Sequence, residues 1–191
     1  MDKLLDFITK IDDLKSVYRQ TYVINELKKE NSAEHSWHLA ISALFLEKYS
    51  DGADIYKCVK MALIHDLAEI IVGDKIVYDV DSDHEKKERE AMISLLSNLD
   101  DGNEYLALWD EFNEGKTKES KFVKTLDRVL PLMNNYKTQG KSWKEHNVTD
   151  KMVLEKIEFM KTANPALYEY MYNIILESVE KNYLKGAKKW K

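Results

Sequence analysis

Residues 60–74, KMALIHDLAEIIVGD, constrain this chain more than any other stretch. They are apolar enough to enter a core as a helix, yet they carry His65, Asp66, Glu69 and Asp74. Such groups are costly to bury unless the interior compensates them. The fold must therefore take this segment inside and supply a partner for its charges.

The rest of the sequence says what kind of interior that is. Only 6 Gly and 2 Pro occur in 191 residues, so the turns of a many-stranded sheet are scarce, while the helix formers Leu, Lys, Glu, Met and Ala dominate. This predicts an all-α fold. With 44% hydrophobic residues, a chain of this length can bury one sizeable core, so a single domain over 1–191 is expected. Asn31 with Glu34 reads as a capping box opening a helix through SAEHSWHLAISALFLEKY, which stops near Gly52. A second helix, about 54–71, places Ile55, Val59, Ala62 and Leu63 on one face and ends before Gly73. Ser82 with Glu85 reads as another capping box, residues 119–136 as a further helix, and Asn164-Pro165 as the cap and first turn of a C-terminal helix. The segment KIVYDV, 75–80, alternates only partly and is read as loop, which leaves no strand expected.

Several function classes are disfavoured. A net charge of −5 argues against duplex nucleic-acid binding, which wants a basic face. No run approaches the ~18 apolar residues of a membrane span. The opening MDKLLDFITKIDDLK mixes acids and lysines as a secretory segment would not. Cys58 is a single cysteine among apolar residues and reads as core, consistent with a reducing cytoplasm. The lysine-rich tail, 181–191, reads as a mobile, solvated terminus.

The chemistry lies in four separated residues: His35 on the first of these helices, His65 and Asp66 on the second, and Asp127 on a later one. Two imidazoles with two carboxylates suit Mn, Co, Fe or Zn and suit calcium poorly. Such an ion would answer the burial problem by neutralising the acids. Neighbours on a regular helix point about 100° apart, so His65 and Asp66 can share one ion only from flanking sides or near a helix end. Pro131 would free the carbonyl four residues earlier, that of Asp127, and bend the chain there. Each piece alone has a bland reading: His35 as a hydrogen-bonded helix residue, Asp127 as a partner of Arg128, His84 and His146 as surface residues.

In combination, EHSWH, then HDLAE with GD following, then KFVKTLDRV, resemble the HD-domain metal-dependent phosphohydrolases, in the branch related to bacterial and animal 5′-deoxynucleotidases, over roughly residues 15–135. The resemblance implies an HD-type helical bundle, commonly dimeric, with His35, His65, Asp66 and Asp127 as ligands of one divalent transition metal. It implies catalytic work for Glu69 and Asp74, which could also hold a second divalent ion. Arg19 in YRQTYV matches the arginine that meets the substrate phosphate, and Lys75 lies beside the active-site Asp74. Gln20 follows that arginine where the bacterial branch has an aromatic residue. The Tyr-rich ALYEYMYNIILESV could serve a homodimer interface or the core.

The expected activity is hydrolysis of a phosphomonoester, most simply the 5′-phosphate of a (deoxy)ribonucleoside monophosphate, with Glu69 as general acid or base and Arg19 holding the phosphate. Arg19 and Lys75 are the basic candidates near the site, which favours monophosphates over longer phosphate chains. The alternatives are an HD-type hydrolase of another phosphate, such as a triphosphate or alarmone, and a non-catalytic metal-binding scaffold.

Overall fold

The computed structural model describes residues 1–25, 28–78 and 82–186, the side chain of Ser82 excepted. Helix α1, Asp2–Ile11, leads through a 3-10 segment into a short hairpin of β1, Tyr18–Tyr22, and β2, Lys29–Asn31. Then come α2, Ser32–Phe45; α3, Ile55–Ile64; α4, Glu69–Val72; α5, Ser82–Leu96; α6, Gly102–Glu114; and α7, Lys118–Lys137. The order closes with α8, Lys141–Glu145; α9, Asp150–Ile157; α10, Met160–Ala163; and α11, Pro165–Glu180. The all-α expectation holds apart from the hairpin.

That hairpin corrects the sequence reading, which placed no strand here. The strands pair antiparallel, Tyr18 with Asn31 and Tyr22 with Lys29, with a register shift between. The signal was weak because the strands are short and alternate over only a few residues. Residues 75–78 form no strand, as expected; Asp79 and Val80 lie outside the described residues.

The caps are where the local code is most legible. Asn31 accepts from the Glu34 amide while the Glu34 carboxylate accepts from the Asn31 amide, a complete capping box that fixes where α2 begins. Asn164 caps α11 by accepting from the Leu167 amide, with Pro165 at the first position. The capping box read at Ser82 lies outside what is described. Residues Lys181–Gly186 pack back on the body: Leu184 is buried and the Asp150 amide donates to the Lys185 carbonyl. The rest of the lysine-rich tail, 187–191, lies outside the described residues.

Two apolar clusters build the interior. The larger gathers Leu39, Cys58, Met61, Val123, Leu126, Met160, Met171 and Ile175 from α2, α3, α7, α10 and α11. The smaller gathers Leu14, Leu67, Ala68, Met92, Leu96 and Trp109. Burying each large apolar side chain is worth about 1.5–3 kcal/mol. The buried face of α11, with Leu167, Met171, Ile174 and Ile175, spends much of the Tyr-rich stretch on the core. Tyr170 alone of its tyrosines is strongly exposed. No helix among the described residues is long and apolar enough to cross a membrane.

Candidate metal centre

The helix expected over 54–71 breaks where the chemistry begins. It ends at Ile64, and α4 restarts at Glu69. Between them the amides of Leu67, Glu69, Ile70 and Ile71 bond three residues back rather than four, a tightened turn that spreads successive side chains further apart than 100°. The carbonyl of His65 is thereby released from the helix, and the indole N–H of Trp109 on α6 donates to it at 2.9 Å. This break lets adjacent His65 and Asp66 both face one pocket.

His35, in the first turns of α2, is fully buried, and its Nε2 lies 2.9 Å from Asp127 Oδ1. The His65 ring stands 5.4 Å from that of His35, centroid to centroid, with Phe112 against its other side at 5.2 Å. His65 Nδ1 donates to the Ala62 carbonyl at 2.8 Å, because a carbonyl can only accept. His65 Nε2 therefore points inward, 3.0 Å from Asp66 Oδ1 and 3.7 Å from Asp127 Oδ1, without the alignment of a hydrogen bond to either. The donor atoms of His35, His65 and Asp127 all lie within 4.8 Å of one another, close enough to share an ion. A buried imidazole nitrogen without a hydrogen-bond partner, aimed at two carboxylates, is the arrangement a cation satisfies.

The charges agree. Burial opposes ionisation of Asp127, but Arg128 and the two imidazoles hold its carboxyl well below the usual range. Asp66 is likewise held down, at about 2, against burial by His65 and Arg19. Burial would push His65 down, yet Asp66 and Asp127 outweigh it and raise the group to about 10. His35 goes the other way, lowered by burial and by Arg19.

Beside this group sits an acidic ring around Arg19 of β1. Its Nη1 is 2.6 Å from Asp66 Oδ2 and 3.9 Å from Glu69 Oε1 and Asp74 Oδ1, and its side chain is only 12% exposed. Asp66 thus turns one oxygen to His65 and the other to Arg19, and it stands outside the group of three. Glu69, the first residue of α4, accepts from the Ser32 hydroxyl at 2.5 Å. Burial and Asp66 raise its carboxyl well above the ordinary value. Burial also raises Asp74, which follows Gly73 at a positive φ of 76°. Lys75 is exposed at the mouth of the same cleft.

The cleft, about 570 Å³, takes in more than was foreseen. Lys124 and Arg128 of α7 line it, which corrects the reading of Arg19 and Lys75 as the basic groups near the site. Arg128 holds Asp127 Oδ2 at 2.6 Å while remaining 30% exposed. Glu88 of α5 also lines the cleft, pushed up to about 7 by burial and by Asp66. His84, read as a surface residue, is buried, with Nε2 3.3 Å from Glu88. His146 is exposed. Trp109, Phe112 and Glu88 carried no signal beyond helical apolar spacing and scattered charge, and Lys124 and Arg128, though inside KFVKTLDRV, carried none that set them apart from solvated helix cations.

Comparison with known proteins gives the chain its relatives. The 5′-deoxynucleotidase HDDC2 of Danio rerio is 37% identical over 134 residues, which cover 68% of this chain and 66% of that protein, so this chain spans a little under two thirds of its length. The protein of the same name from Dictyostelium discoideum is 30% identical over 166 residues, 81% of this chain and 86% of its own. A crystal structure of a "predicted metal-dependent phosphohydrolase" from Magnetospirillum magnetotacticum matches with a TM-score of 0.91 at 35% identity, over 96% of this chain and 95% of that one. An HD domain implies a divalent metal, for which His35, His65 and Asp127 form a possible site. The HD domain model matches residues 11–167, which include every site residue described above, and the chain belongs to that family.

Proposed function

We propose that this chain is a metal-dependent phosphohydrolase that removes the 5′-phosphate of nucleoside monophosphates, with deoxyribonucleotides the first candidates. The observation that carries this reading is the convergence of His35, His65 and Asp127 beside an acidic ring with Arg19 at its centre, with His65, Asp127, Arg19 and the ring lining one cleft and His35 buried behind it. The relatives' names support the substrate class.

His35, His65, Asp66 and Asp127 would hold a divalent transition ion, Mn, Co, Fe or Zn; Glu69 and Asp74 could hold a second ion. When bound, the ion supplies Lewis acidity towards the phosphate and acidifies water beside it. Arg19 offers a planar fork of donors to the phosphate oxygens and stabilises the charge that develops on them. Lys75 adds a mobile cation at the cleft mouth. Water adds to phosphorus, the bond from phosphorus to the 5′-oxygen breaks, and that oxygen leaves as the alcohol after taking a proton. Glu69, whose buried carboxyl is raised well above the ordinary value, suits that transfer, and Ser32 keeps its carboxyl oriented. Asp74 would position water or a ribose hydroxyl. We further propose that the chain works as one domain, as a homodimer and in the cytoplasm.

One observation favours a second reading: Lys124 and Arg128 add positive charge along the cleft, which could compensate a longer phosphate chain. Phosphate release from nucleoside mono-, di- and triphosphates, each with Mn, Co, Mg and Zn, separates the two. Inorganic phosphate from monophosphates alone is expected. Pyrophosphate or triphosphate as the product would overturn the monophosphate assignment, and no product with any metal would return the chain to a scaffold.

A further inference from the structure

Glu30 of β2 lies behind the site rather than in it, and no step above uses it. Its carboxyl is buried at 3% residue exposure, and Oε2 accepts from the Thr21 hydroxyl across the hairpin at 3.1 Å. The same oxygen stands 3.7 Å from His35 Nδ1 and 3.8 Å from Arg19 Nε. Both nitrogens are buried and have no hydrogen-bond partner among the described residues. Orphan buried nitrogens of this kind are expensive, and here two of them, from different elements, converge on one oxygen.

The chemistry of the histidine gives that convergence a purpose. His35 Nε2 faces Asp127 at 2.9 Å, on the side where the metal-binding group gathers. For Nε2 to serve as a ligand atom it must present its lone pair, which leaves the ring's single proton on Nδ1. The oxygen facing Nδ1 is Glu30 Oε2. A buried carboxylate on the far nitrogen fixes the ring tautomer and raises the basicity of the ligating nitrogen. Through Arg19 Nε the same carboxyl also steadies the guanidinium proposed to meet the phosphate.

We infer that Glu30 is a positioning residue that sets the His35 tautomer for metal binding and orients Arg19 from behind. This rests on the metal-centre reading proposed above. It also gives the hairpin a role, because β2 carries Glu30 to this place and Thr21 of β1 holds it there.

The test uses the full chain and Co²⁺, with affinity measured by competition against a chelator and the melting temperature measured without metal. Glu30→Gln keeps the shape and removes the carboxylate. It should bind Co²⁺ about 10–100-fold more weakly than wild type. Its metal-free melting temperature should stay close to wild type, its kcat should recover at saturating Co²⁺, and its KM should stay raised a few-fold. Thr21→Val, which removes only the hydroxyl that holds Glu30, should weaken Co²⁺ binding in the same direction by less, and it decides the matter if Glu30→Gln does not fold. Unchanged Co²⁺ affinity in the variants would overturn the inference while leaving the metal centre standing. A weakened affinity matched by a collapse of the metal-free fold, with no recovery at high Co²⁺, would make Glu30 merely structural. Wild type that binds Co²⁺ yet releases no phosphate would sink the proposed activity and leave the role of Glu30 intact.

Discussion

The start of α2 and the junction between α3 and α4 each deliver one histidine to the same centre, and they do so by opposite means. At α2 the backbone is regular, the capping box of Asn31 and Glu34 is complete, and His35 follows on the next residue. At the junction the helix is broken, the hydrogen bonds tighten, and His65 is set by a tryptophan from α6 and by its own bond to Ala62. The two imidazoles also titrate in opposite directions. Burial and Arg19 lower His35, while Asp66 and Asp127 overcome burial to bring His65 to about 10. A local rule built one half of the site and a tertiary contact built the other.

Removing what the two halves share should have the largest effect. Asp127 touches both imidazoles, so Asp127→Ala should abolish metal binding and activity together. It should also destabilise the protein by about 3–5 kcal/mol, because the groups it compensates remain buried. Elemental analysis beside a denaturant melt checks this, and retained metal would show that the halves do not meet at Asp127.

Glu69 comes from the broken half, though Ser32 of α2 donates to it. Glu69→Gln should leave the fold and most bound metal in place while kcat falls by ~10²–10⁴-fold, the range of a lost general acid or base. Steady-state kinetics across a metal titration reads it. Relief at high metal would assign Glu69 to a second ion instead.

The next pair sets one region against the other. Trp109→Phe keeps a ring but removes the donor to the His65 carbonyl, which should cost about 1–3 kcal/mol for an unsatisfied buried acceptor. Metal affinity should drop with it, because His65 loses its anchor. Asn31→Ala removes one half of the capping box and should cost about 1 kcal/mol. Its metal affinity should barely change, since α2 is also held by packing of Leu39, Ala40 and Ala43. Thermal melts and chelator competition on both variants decide it. Equal losses of metal affinity would erase the contrast between the two regions.

Sequence by itself determined the helical class, because scarce Gly and Pro and abundant helix formers leave few alternatives. It also determined where α2 and α11 start, because an N-cap is a bond between residues three apart and needs nothing from elsewhere, while the expected stop of α2 near Gly52 came too late, since the helix ends at Phe45. The candidates His65, Asp66, Glu69 and Asp74 were legible for a related reason, since acids and imidazoles inside an apolar run are too costly to stand there idle, whereas His35, Asp127 and Arg19 stood out through the family resemblance. Tertiary structure decided the rest. Past Ile64 the second helix breaks, and the His65 carbonyl it releases is met by a tryptophan 44 residues away. Whether His84 was surface or buried, whether Lys124, Arg128 and Glu88 faced the site, and whether Glu30 lay behind it depended on which helices and strands packed together. The physical reason is range. Caps and apolar periodicity act over one or two turns of chain, whereas the charge a buried side chain meets is set by residues that only the folded chain brings within a few ångströms.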